Sequence, residues 1–386
     1  MQNVVIDRNE DAMKFAKVGL RKVRPLTVGD KLCLSPDHEV LTSKGWKNIK
    51  KISYEDKIAT LNPDNNNLEW HKPSNVYNFD HEGEMYEIEN SLISLKTTMN
   101  HKMYVKRSPD DMFNLEEAKN IIGDKVWYKR NCINNNTEIK NIIFPSVVLP
   151  WCNSFRKYER ISYPMNSWLL FLGIYLSEGH IDNARNIRIS AHKPRVLNAL
   201  VKALNDMKIE YLTYPGEENY VYIKNHQISN YLKQFGKAND KYIPSMCRNM
   251  GPINSKILLD SLLLGDGYEN PEKNSWEYYT NSKKLADGVQ ILSIMCGMSS
   301  TIKIKNLKDE VVIIKGIETK RTSNQYRVYI SNYKPILEPC SSYKQYSEVV
   351  DDSYSGKVYC LEVPNHIFMV RRNDKYCWTG NSSRAG

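Results

Sequence analysis

The residues most able to do chemistry on the chain itself stand near its two ends. Asn381 is followed by Ser382, and Cys33 lies far upstream of both. An asparagine side-chain amide can attack its own backbone carbonyl and cut the chain, while a hydroxyl beside the cut supplies a nucleophile. An Asn-Ser pair alone indicates nothing, so the interpretation depends on the sequence around it.

Four sequence blocks, in the expected order, resemble the splicing blocks of inteins. They are Cys33-Leu34-Ser35-Pro36-Asp37-His38-Glu39-Val40-Leu41-Thr42, then Thr98-Met99-Asn100-His101, then residues 358–368, and finally Trp378-Thr379-Gly380-Asn381-Ser382. Short period-two apolar patterns between residues 33 and 130, separated by turn residues, favour an all-β module. The resemblance implies that this module is a Hint splicing fold, which needs no cofactor.

The resemblance also implies a role for each matching residue. In reaction order, Cys33 moves the acyl group of Leu32 from nitrogen to sulfur, Thr98 and His101 promote that step with Asn100 as a helper, Ser382 attacks the thioester, Asn381 cyclises, and His366 shuttles the proton. The expected activity is therefore self-catalysed protein splicing.

Two positions depart from the family pattern. Gly380 stands where histidine is common, so we expect His366 to carry more of the acid–base work. Cys360 stands where aspartate is common. It is either a modulator of Cys33 or Ser382, or an internal nucleophile of the kind used by inteins that lack a first cysteine. The presence of Cys33 favours a modulator.

Residues 165–336 contain an internal duplication of an α-β-helix-β pattern. The two opening segments, residues 171–179 and 259–267, resemble the two LAGLIDADG motifs of a single-chain homing endonuclease. The resemblance implies an α+β endonuclease domain with pseudo-twofold symmetry, inserted into the splicing fold. The chain is thus expected to be multidomain.

Small residues occupy the third and seventh positions of each motif. Gly173 and Ser177 are four residues apart, as are Ser261 and Gly265, so each pair shares one helical face. Two faces lined by small residues can approach closely. We therefore expect the two motif helices to pack against each other.

An acidic residue follows each small pair. By the resemblance, Glu178 and Asp266 hold Mg²⁺ for phosphodiester hydrolysis, and Lys241 is an active-site lysine. The alternative is that these are plain core helices with capping acids. The duplication favours the nuclease.

Basic and apolar residues alternate in the strands of the duplicated region. Arg188, Lys303, Lys305 and Arg327 would lie on one face of a sheet, where such residues suit the phosphates and bases of a major groove. The net charge of +10 and pI near 9.0 are compatible with a polyanionic partner. The expected partner is double-stranded DNA carrying the host-gene junction without the insertion.

The short flanks predict the host protein. Removing residues 33–381 would join Gly29-Asp30-Lys31-Leu32 to Ser382-Ser383-Arg384-Ala385-Gly386, and the product resembles a segment of the second-largest RNA polymerase subunit. The predicted order is an N-extein (1–32), the N-terminal half of the Hint domain (33–130), a linker or accessory region (131–164), the endonuclease (165–336), the C-terminal part of the Hint domain (337–381) and a C-extein (382–386).

Composition argues against several other classes. The longest apolar run, residues 168–176, is too short to span a bilayer, and residues 1–17 lack a signal-peptide pattern. The eight cysteines have no CxxC or zinc spacing, so disulfides and structural zinc are not expected. We expect an intracellular monomer that follows the host polymerase. Two alternatives stay open: a splicing-only intein with a decayed DNA-binding nuclease domain, and a non-catalytic polymerase segment with an insertion.

Overall fold

The computed structural model describes residues 3–5, 32–108, 110–151, 154–182, 185–214, 219–314, 317–332 and 347–381. The first strands are β1 (Asn3–Val5), β2 (Glu39–Thr42), β3 (Gly45–Asn48), β4 (Ile58–Leu61), β5 (Leu68–His71), β6 (Asn75–Glu89), β7 (Ser94–Thr98), β8 (Lys102–Lys106), β9 (Asn114–Glu117) and β10 (Trp127–Tyr128). The middle elements are β11 (Asn141–Phe144), β12 (Val147–Trp151), β13 (Ser154–Tyr158), β14 (Ile161–Pro164), α1 (Met165–Glu178), β15 (Gly179–Ile181), β16 (Ile187–Ser190), α2 (Pro194–Asp206), β17 (Leu212–Tyr214), β18 (Tyr220–Ile223) and α3 (His226–Leu232). The last are α4 (Pro252–Asp266), β19 (Gly267–Asn270), β20 (Ser275–Thr280), α5 (Lys283–Met295), β21 (Ser299–Lys305), β22 (Val311–Ile314), β23 (Ile317–Lys320), β24 (Gln325–Ser331), β25 (Ser347–Glu362), β26 (Ile367–Arg372) and β27 (Lys375–Gly380).

Local sequence accounts for where the longer helices begin. α2 and α4 each start at a proline, Pro194 and Pro252, whose fixed φ suits the first helical turn and whose missing N–H costs nothing there. α5 is capped by Ser282, whose side chain accepts a hydrogen bond from the Leu285 amide. No helix in the described ranges is long and apolar enough to cross a membrane.

Strands from the two ends of the chain form one nine-stranded antiparallel sheet. Its order is β10-β8-β27-β26-β2-β4-β5, with β3 beside β2 and β9 beside β8. Thr379 of β27 pairs with Met103 of β8, and Val370 of β26 pairs with Val40 of β2. The C-terminal strands β26 and β27 therefore lie in the same sheet as the N-terminal strands β2, β4 and β8.

A second sheet of this module is a long ribbon. β6 pairs along most of its length with β25, and β7 pairs with the C-terminal end of β6. Leu34 bridges both β7 and β25, through Thr97 and Tyr359. The segment that begins at Cys33 is thereby held between two strands of this sheet.

The duplicated region consists of two sheets with the same topology. In the first unit α1 leads into a sheet of order β15-β16-β18-β17, and in the second α4 leads into a sheet of order β19-β20-β24-β21. The hairpin of β22 and β23 is an addition to the second unit. Apolar residues of both units share one core, which includes Phe171, Leu200, Leu259 and Val328.

Residues 131–164 have more regular structure than the predicted linker. β11 pairs with β1 and β14, while β12 and β13 form a separate hairpin. Pro150 lies within β12, opposite Phe155. Because β12 has β13 as its only strand neighbour in the described sheets, the missing proline N–H removes no bond from a second ladder. The predicted boundary at residues 336 and 337 lies outside the described residues.

Helix α5 belongs to the second unit by sequence but packs on the nine-stranded sheet. Ile291, Ile294 and Met295 lie in one buried cluster with Tyr376 and Trp378 of β27. Burying a large apolar side chain contributes roughly 1.5–3 kcal/mol. The two predicted domains therefore share a hydrophobic core.

A buried ion-pair network reinforces this contact. Arg371 of β26 is 1% exposed, donates to Glu39 (2.8 Å) and Gln290 (2.9 Å), and also pairs with Asp287 of α5. Its guanidinium lies 4.5 Å from the centre of the Trp46 ring. A buried charge without partners would cost several kcal/mol, so the contact between α5 and the sheet is specific as well as apolar.

Candidate functional site

Cys33 is completely buried and is held by Thr98. The Cys33 amide donates to Thr98 Oγ1 (3.0 Å), and the Thr98 amide donates to the Cys33 carbonyl (2.9 Å). The Cys33 amide belongs to the Leu32–Cys33 peptide bond, so the hydroxyl of Thr98 touches the bond predicted to break. The structure thus brings together two of the predicted site residues.

His101 is also buried, close to the same peptide bond. Burial lowers the pKa of His101 to about 3, although the Leu32 backbone acts in the opposite direction. Its Nε2 atom lies 2.7 Å from the Thr379 hydroxyl. Its Nδ1 atom is buried, and no described atom completes a hydrogen bond of ordinary geometry with it. His101 is therefore neutral at pH 7, and the Leu32 backbone lies within hydrogen-bonding reach of its ring.

Two buried neighbours of this site were not predicted. His38 contacts the carbonyl and hydroxyl of Ser35, both at 3.1 Å, and its pKa is lowered to about 4 by burial. It also helps to lower the pKa of His101. Thr379 is 1% exposed. Both residues lie inside the quoted sequence blocks, but only the fold shows what they contact.

Cys360 lies beside Cys33. Leu34 and Tyr359 exchange both backbone hydrogen bonds (2.8 and 2.9 Å), so the next antiparallel pair, Cys33 and Cys360, is a non-hydrogen-bonded pair with close side chains. Both cysteines belong to one buried cluster with Met85 and Val358. This position fits the predicted modulator of Cys33.

Asn381 is held by the predicted His366. The Asn381 amide donates to the His366 carbonyl (2.9 Å), and His366 Nδ1 lies 3.3 Å from Asn381 Oδ1. Asn381 Nδ2 donates to the Val363 carbonyl (2.9 Å). His366 adopts a left-handed φ of 57°, which turns its side chain and its carbonyl toward the same residue. Ser382 lies outside the described residues.

Gly380 has no room for a side chain. An added Cβ would lie 2.6 Å from the Lys102 carbonyl oxygen and 2.8 Å from Leu115 Cδ2. Real Cβ atoms do not approach backbone atoms so closely. A side chain at this position, such as the histidine expected from the resemblance, would therefore require the neighbouring backbone of β8 to shift, which gives Gly380 a steric reason.

We expect Gly380→Ala to reduce formation of the joined product and to destabilise the chain by about 1–3 kcal/mol, because the added methyl overpacks β8 against β27. Urea unfolding and mass spectrometry of the products measure the two effects. Gly356→Ala is the matched control, since its Cβ would meet chiefly the far end of the Tyr354 side chain at 3.2 Å. Equal behaviour of the two variants would contradict the steric explanation.

The motif helices α1 and α4 meet through their small residues. A Cβ at Gly173 would overlap the Ser261 side chain, and a Cβ at Gly265 would overlap Ser177. The Ser177 hydroxyl donates to the Leu262 carbonyl (3.2 Å) across the contact. Equivalent positions of the two motifs thus face each other, as the spacing predicted.

This packing places Glu178 beside Asp266 at the ends of the two helices. Burial and the nearby Glu178 carboxylate raise the pKa of Asp266 to about 6. Lys241 is 5% exposed and donates to the carbonyls of Tyr175 (3.0 Å) and Gly179 (2.8 Å), and burial lowers its pKa to about 8. The predicted acids and lysine therefore form one cluster.

Lys193 is a further cation of this cluster that the sequence did not reveal. Its Nζ donates to the Gly265 carbonyl (2.6 Å) at the end of α4. Lys241 likewise donates to the Gly179 carbonyl at the end of α1. Both ammonium groups lower the pKa of Asp266. Cations are favourable at helix C-termini because they complement the helix dipole.

Glu178 and Asp266 suit a divalent cation whose other coordination positions are filled by water and substrate. Within the described residues no group of three or more His, Cys, Asp or Glu side chains could hold a metal on its own. Glu178 and Asp266 supply two carboxylates, and burial together with the repulsion from Glu178 raises the pKa of Asp266. Mg²⁺ commonly uses one or two carboxylates together with water and substrate phosphates, so two acids are enough.

We expect Asp266→Asn to stabilise the fold above pH 6. The raised pKa means that the folded state binds more protons than the unfolded state between about pH 4 and 6, so stability falls as pH rises through this window. Removing the charge should raise the free energy of unfolding at pH 7.5 by about 1–2 kcal/mol, after allowance for partial exposure, and change little at pH 4.

Urea titrations at pH 4 and pH 7.5 measure this effect. Asp260→Asn, on the exposed side of the same helix and paired with Lys256, is the control and should change stability by less than about 0.5 kcal/mol. A pH-independent effect of Asp266→Asn would show that burial and its neighbours do not raise the pKa of the Asp266 carboxylate.

The predicted DNA-facing residues lie on the outer faces of the two sheets. Ile187 and Ile189 of β16 are buried whereas Arg188 between them is partly exposed, with its guanidinium 4.4 Å from the Tyr220 ring. The outer face of the second sheet carries Lys303, Lys305 and Arg327. Core and outer residues alternate in β16 and β24, whereas β21 buries residues 299–302 and exposes Ile304 together with Lys303 and Lys305.

Tyrosines surround these cations. Lys303 and Arg327 lie 5.2 and 4.3 Å from the centre of the Tyr329 ring, and Arg327 also pairs with Glu277. The outer face is therefore aromatic and basic, with one carboxylate. The aromatic component was not predicted, because tyrosine is frequent throughout the sequence.

Known proteins resemble this chain over most of its sequence. No family model matches the chain. The ATP-dependent Clp protease proteolytic subunit of Chlamydomonas moewusii is 26% identical over 465 residues, which cover 92% of this chain and 46% of that protein. The DNA-directed RNA polymerase subunit beta C-terminal section of Stigeoclonium helveticum is 29% identical over 406 residues, covering 92% and 37%. The chain spans less than half the length of either relative.

Two of the solved structures that resemble the chain are of different kinds. I-DmoI in complex with DNA and Mn is similar over 43% of this chain and 89% of its own, with 12% identity and a TM-score of 0.29. A splice-inactive variant of the AceL NrdHF class 3 split intein is similar over 50% of this chain and 99% of its own, with 12% identity and a TM-score of 0.22. The structural neighbours thus include a homing endonuclease and an intein.

Proposed function

We propose that this chain is a self-splicing intein with an inserted two-motif LAGLIDADG homing endonuclease. One observation carries the splicing part. β8 and β27 pair side by side, so the residues around Cys33 and Asn381, which are far apart in sequence, belong to one buried assembly. A splicing reaction requires such a meeting of both junctions.

The first step is an attack by the Cys33 thiol on the Leu32 carbonyl carbon. The C–N bond between Leu32 and Cys33 breaks, a C–S bond forms, the thiol loses its proton, and the nitrogen takes one up. Thr98 contacts this nitrogen, and His101 is the neighbouring acid. Holding the peptide among buried groups favours this otherwise uphill exchange of an amide for a thioester.

In the later steps Ser382 attacks the thioester and Asn381 closes on its own carbonyl to release the intein. His366 and the Val363 carbonyl hold the two polar atoms of the Asn381 side chain, which orients the amide for closure. No cofactor is needed. The ester at Ser382 then rearranges to an amide, because that shift is downhill.

The identities of the relatives support an inserted element. A protease subunit and a polymerase subunit have unrelated activities, yet each matches 92% of this chain. A segment shared by such proteins is explained by insertion into different hosts. The host here is assigned to the second-largest RNA polymerase subunit from the flanking residues, with the chain acting as an intracellular monomer.

The second activity is double-strand cleavage of DNA at the host-gene junction without the insertion. Glu178 and Asp266 would hold Mg²⁺, which would supply charge stabilisation and an activated water at the scissile phosphates. Lys193 and Lys241 hold the helix ends beneath the acids, and the outer faces of the sheets hold DNA. The paired acids favour this function over a decayed DNA-binding domain.

Intact-mass spectrometry of the purified chain tests the splicing proposal. We expect an excised species of residues 33–381 and a joined peptide of residues 1–32 with 382–386. A chain that keeps its full mass indefinitely under reducing conditions would support the alternative of a non-catalytic polymerase segment with an insertion.

A further inference from the structure

The hydroxyl of Thr379 lies between the two junction sites. Its Oγ1 atom is 2.7 Å from His101 Nε2 and 3.4 Å from the Lys102 carbonyl oxygen. Thr379 and His101 are both buried, with 1% and 0% of their surface exposed. The splicing steps described above assign no role to this threonine.

The two distances indicate where the hydroxyl proton points. O–H donors make hydrogen bonds at about 2.5–3.0 Å, so the 3.4 Å contact with the Lys102 carbonyl is weak. The contact with Nε2 is within that range. A threonine hydroxyl has a single proton. The shorter contact indicates that the Thr379 hydroxyl donates this proton to Nε2, so Nε2 is the unprotonated ring nitrogen.

A neutral imidazole carries its one proton on the other nitrogen. Burial keeps His101 neutral at pH 7, against a hydrogen bond with the Leu32 backbone that acts in the opposite direction. Its Nδ1 is buried and makes no other hydrogen bond of ordinary geometry within the described residues. The Leu32 backbone is close enough to affect the ring. The proton of Nδ1 is thus available to the Leu32–Cys33 peptide bond.

We propose that Thr379 is a positioning residue that holds His101 in the Nδ1-protonated tautomer, so that Nδ1 gives its proton to the leaving nitrogen of the first splicing step. His101 regains a proton from the one that the Cys33 thiol loses. The inference rests on the proposed splicing function. Thr379 stands in β27, two residues before Asn381, so the donor is set only when the C-terminal strand is in place. The first step is therefore coupled to assembly of the second junction.

Two substitutions at Thr379 test this role in chains that also carry Ser382→Ala. Thr379→Val keeps the shape and removes the hydroxyl, whereas Thr379→Ser keeps the hydroxyl. We measure the rate at which dithiothreitol releases residues 1–32. Thr379→Val should slow release about a hundredfold, as expected for loss of a general acid, and Thr379→Ser should retain most of the rate.

Thr42→Val is the matched control. Thr42 is buried and its hydroxyl donates to the Gly45 carbonyl (2.7 Å) in a turn, so this variant tests the general cost of losing a buried threonine hydroxyl. It should release residues 1–32 at the rate of the parent, which is the chain that carries Ser382→Ala alone. A similar slowing in Thr42→Val and Thr379→Val would overturn the positioning role.

The ¹⁵N resonances of His101 report the tautomer directly. The parent and Thr379→Ser should show an unprotonated Nε2, and Thr379→Val should lose this preference. A protonated Nε2 in the parent overturns the inference, even if Thr379→Val does not fold.

If the parent shows the expected tautomer but releases nothing with thiol, splicing fails as the function while the contact stands. If the parent releases residues 1–32 and Thr379→Val does so equally fast, only the role of Thr379 fails.

Discussion

A chain carrying Ser382→Ala will not join its flanks, yet added thiol will release residues 1–32 from it. The thioester at Cys33 still forms in this variant, because Thr98 and His101 are unchanged. Adding Cys33→Ala should reduce thiol-dependent release to background, since no thioester can form, while slow closure of Asn381 continues. Mass spectrometry after incubation with and without dithiothreitol measures both effects.

Cys360 provides the decisive comparison, since its side chain lies beside Cys33 in the same buried cluster. As a modulator, it can be replaced by serine with thiol-dependent release retained. Release that survives Cys33→Ala but disappears in Cys360→Ser would show that Cys360 is the first nucleophile. The structure favours neither thiol by burial, because both are almost fully enclosed.

Replacing Glu178 by glutamine or Asp266 by asparagine will abolish DNA cleavage without abolishing DNA binding. The substrate is a duplex carrying the uninterrupted sequence across the junction of residues 32 and 382. We expect Mg²⁺-dependent double-strand cleavage by the parent and a drop of at least about a hundredfold in either variant, since even indirect partners of a metal site are worth 10- to 100-fold.

Binding and splicing serve as separate readouts for these variants. The acids lie at the helix ends, whereas Arg188 and Lys303 lie on the outer faces of the sheets, so affinity for the duplex should persist and should fall with salt. Asp260→Asn, exposed on α4, should cut like the parent. A parent that binds the duplex tightly with Mg²⁺ and never nicks it would leave the domain as a DNA-binding remnant.

Local periodicity was sufficient to predict much of the duplicated region. The spacing of Gly173 with Ser177, and of Ser261 with Gly265, identifies one face on each helix, and these faces meet in the structure. The alternation around Arg188 likewise identifies the outer face of β16. Such patterns work because helix and strand geometry fix which side chains share a face.

Contacts between distant segments could not be predicted in this way. Nothing in the local sequence relates Thr379 to His101 or Lys193 to Gly265, because those contacts depend on how whole strands and helices pack. The prediction of a linker or accessory region for residues 131–164 did not include the hairpin of β12 and β13, which contains Pro150. A proline is tolerated there because β12 lies at an edge of its hairpin.

The core shared by α5 and β27 constrains how this chain can change over generations. A deletion of residues 165–336, the region proposed to cut DNA, would remove Ile291, Ile294 and Met295, which share a buried cluster with Tyr376 and Trp378. A single substitution at Glu178 or Asp266 would silence cutting and leave that core intact. Descendants that no longer cut DNA should therefore keep the full length of the insertion and lose its acids first.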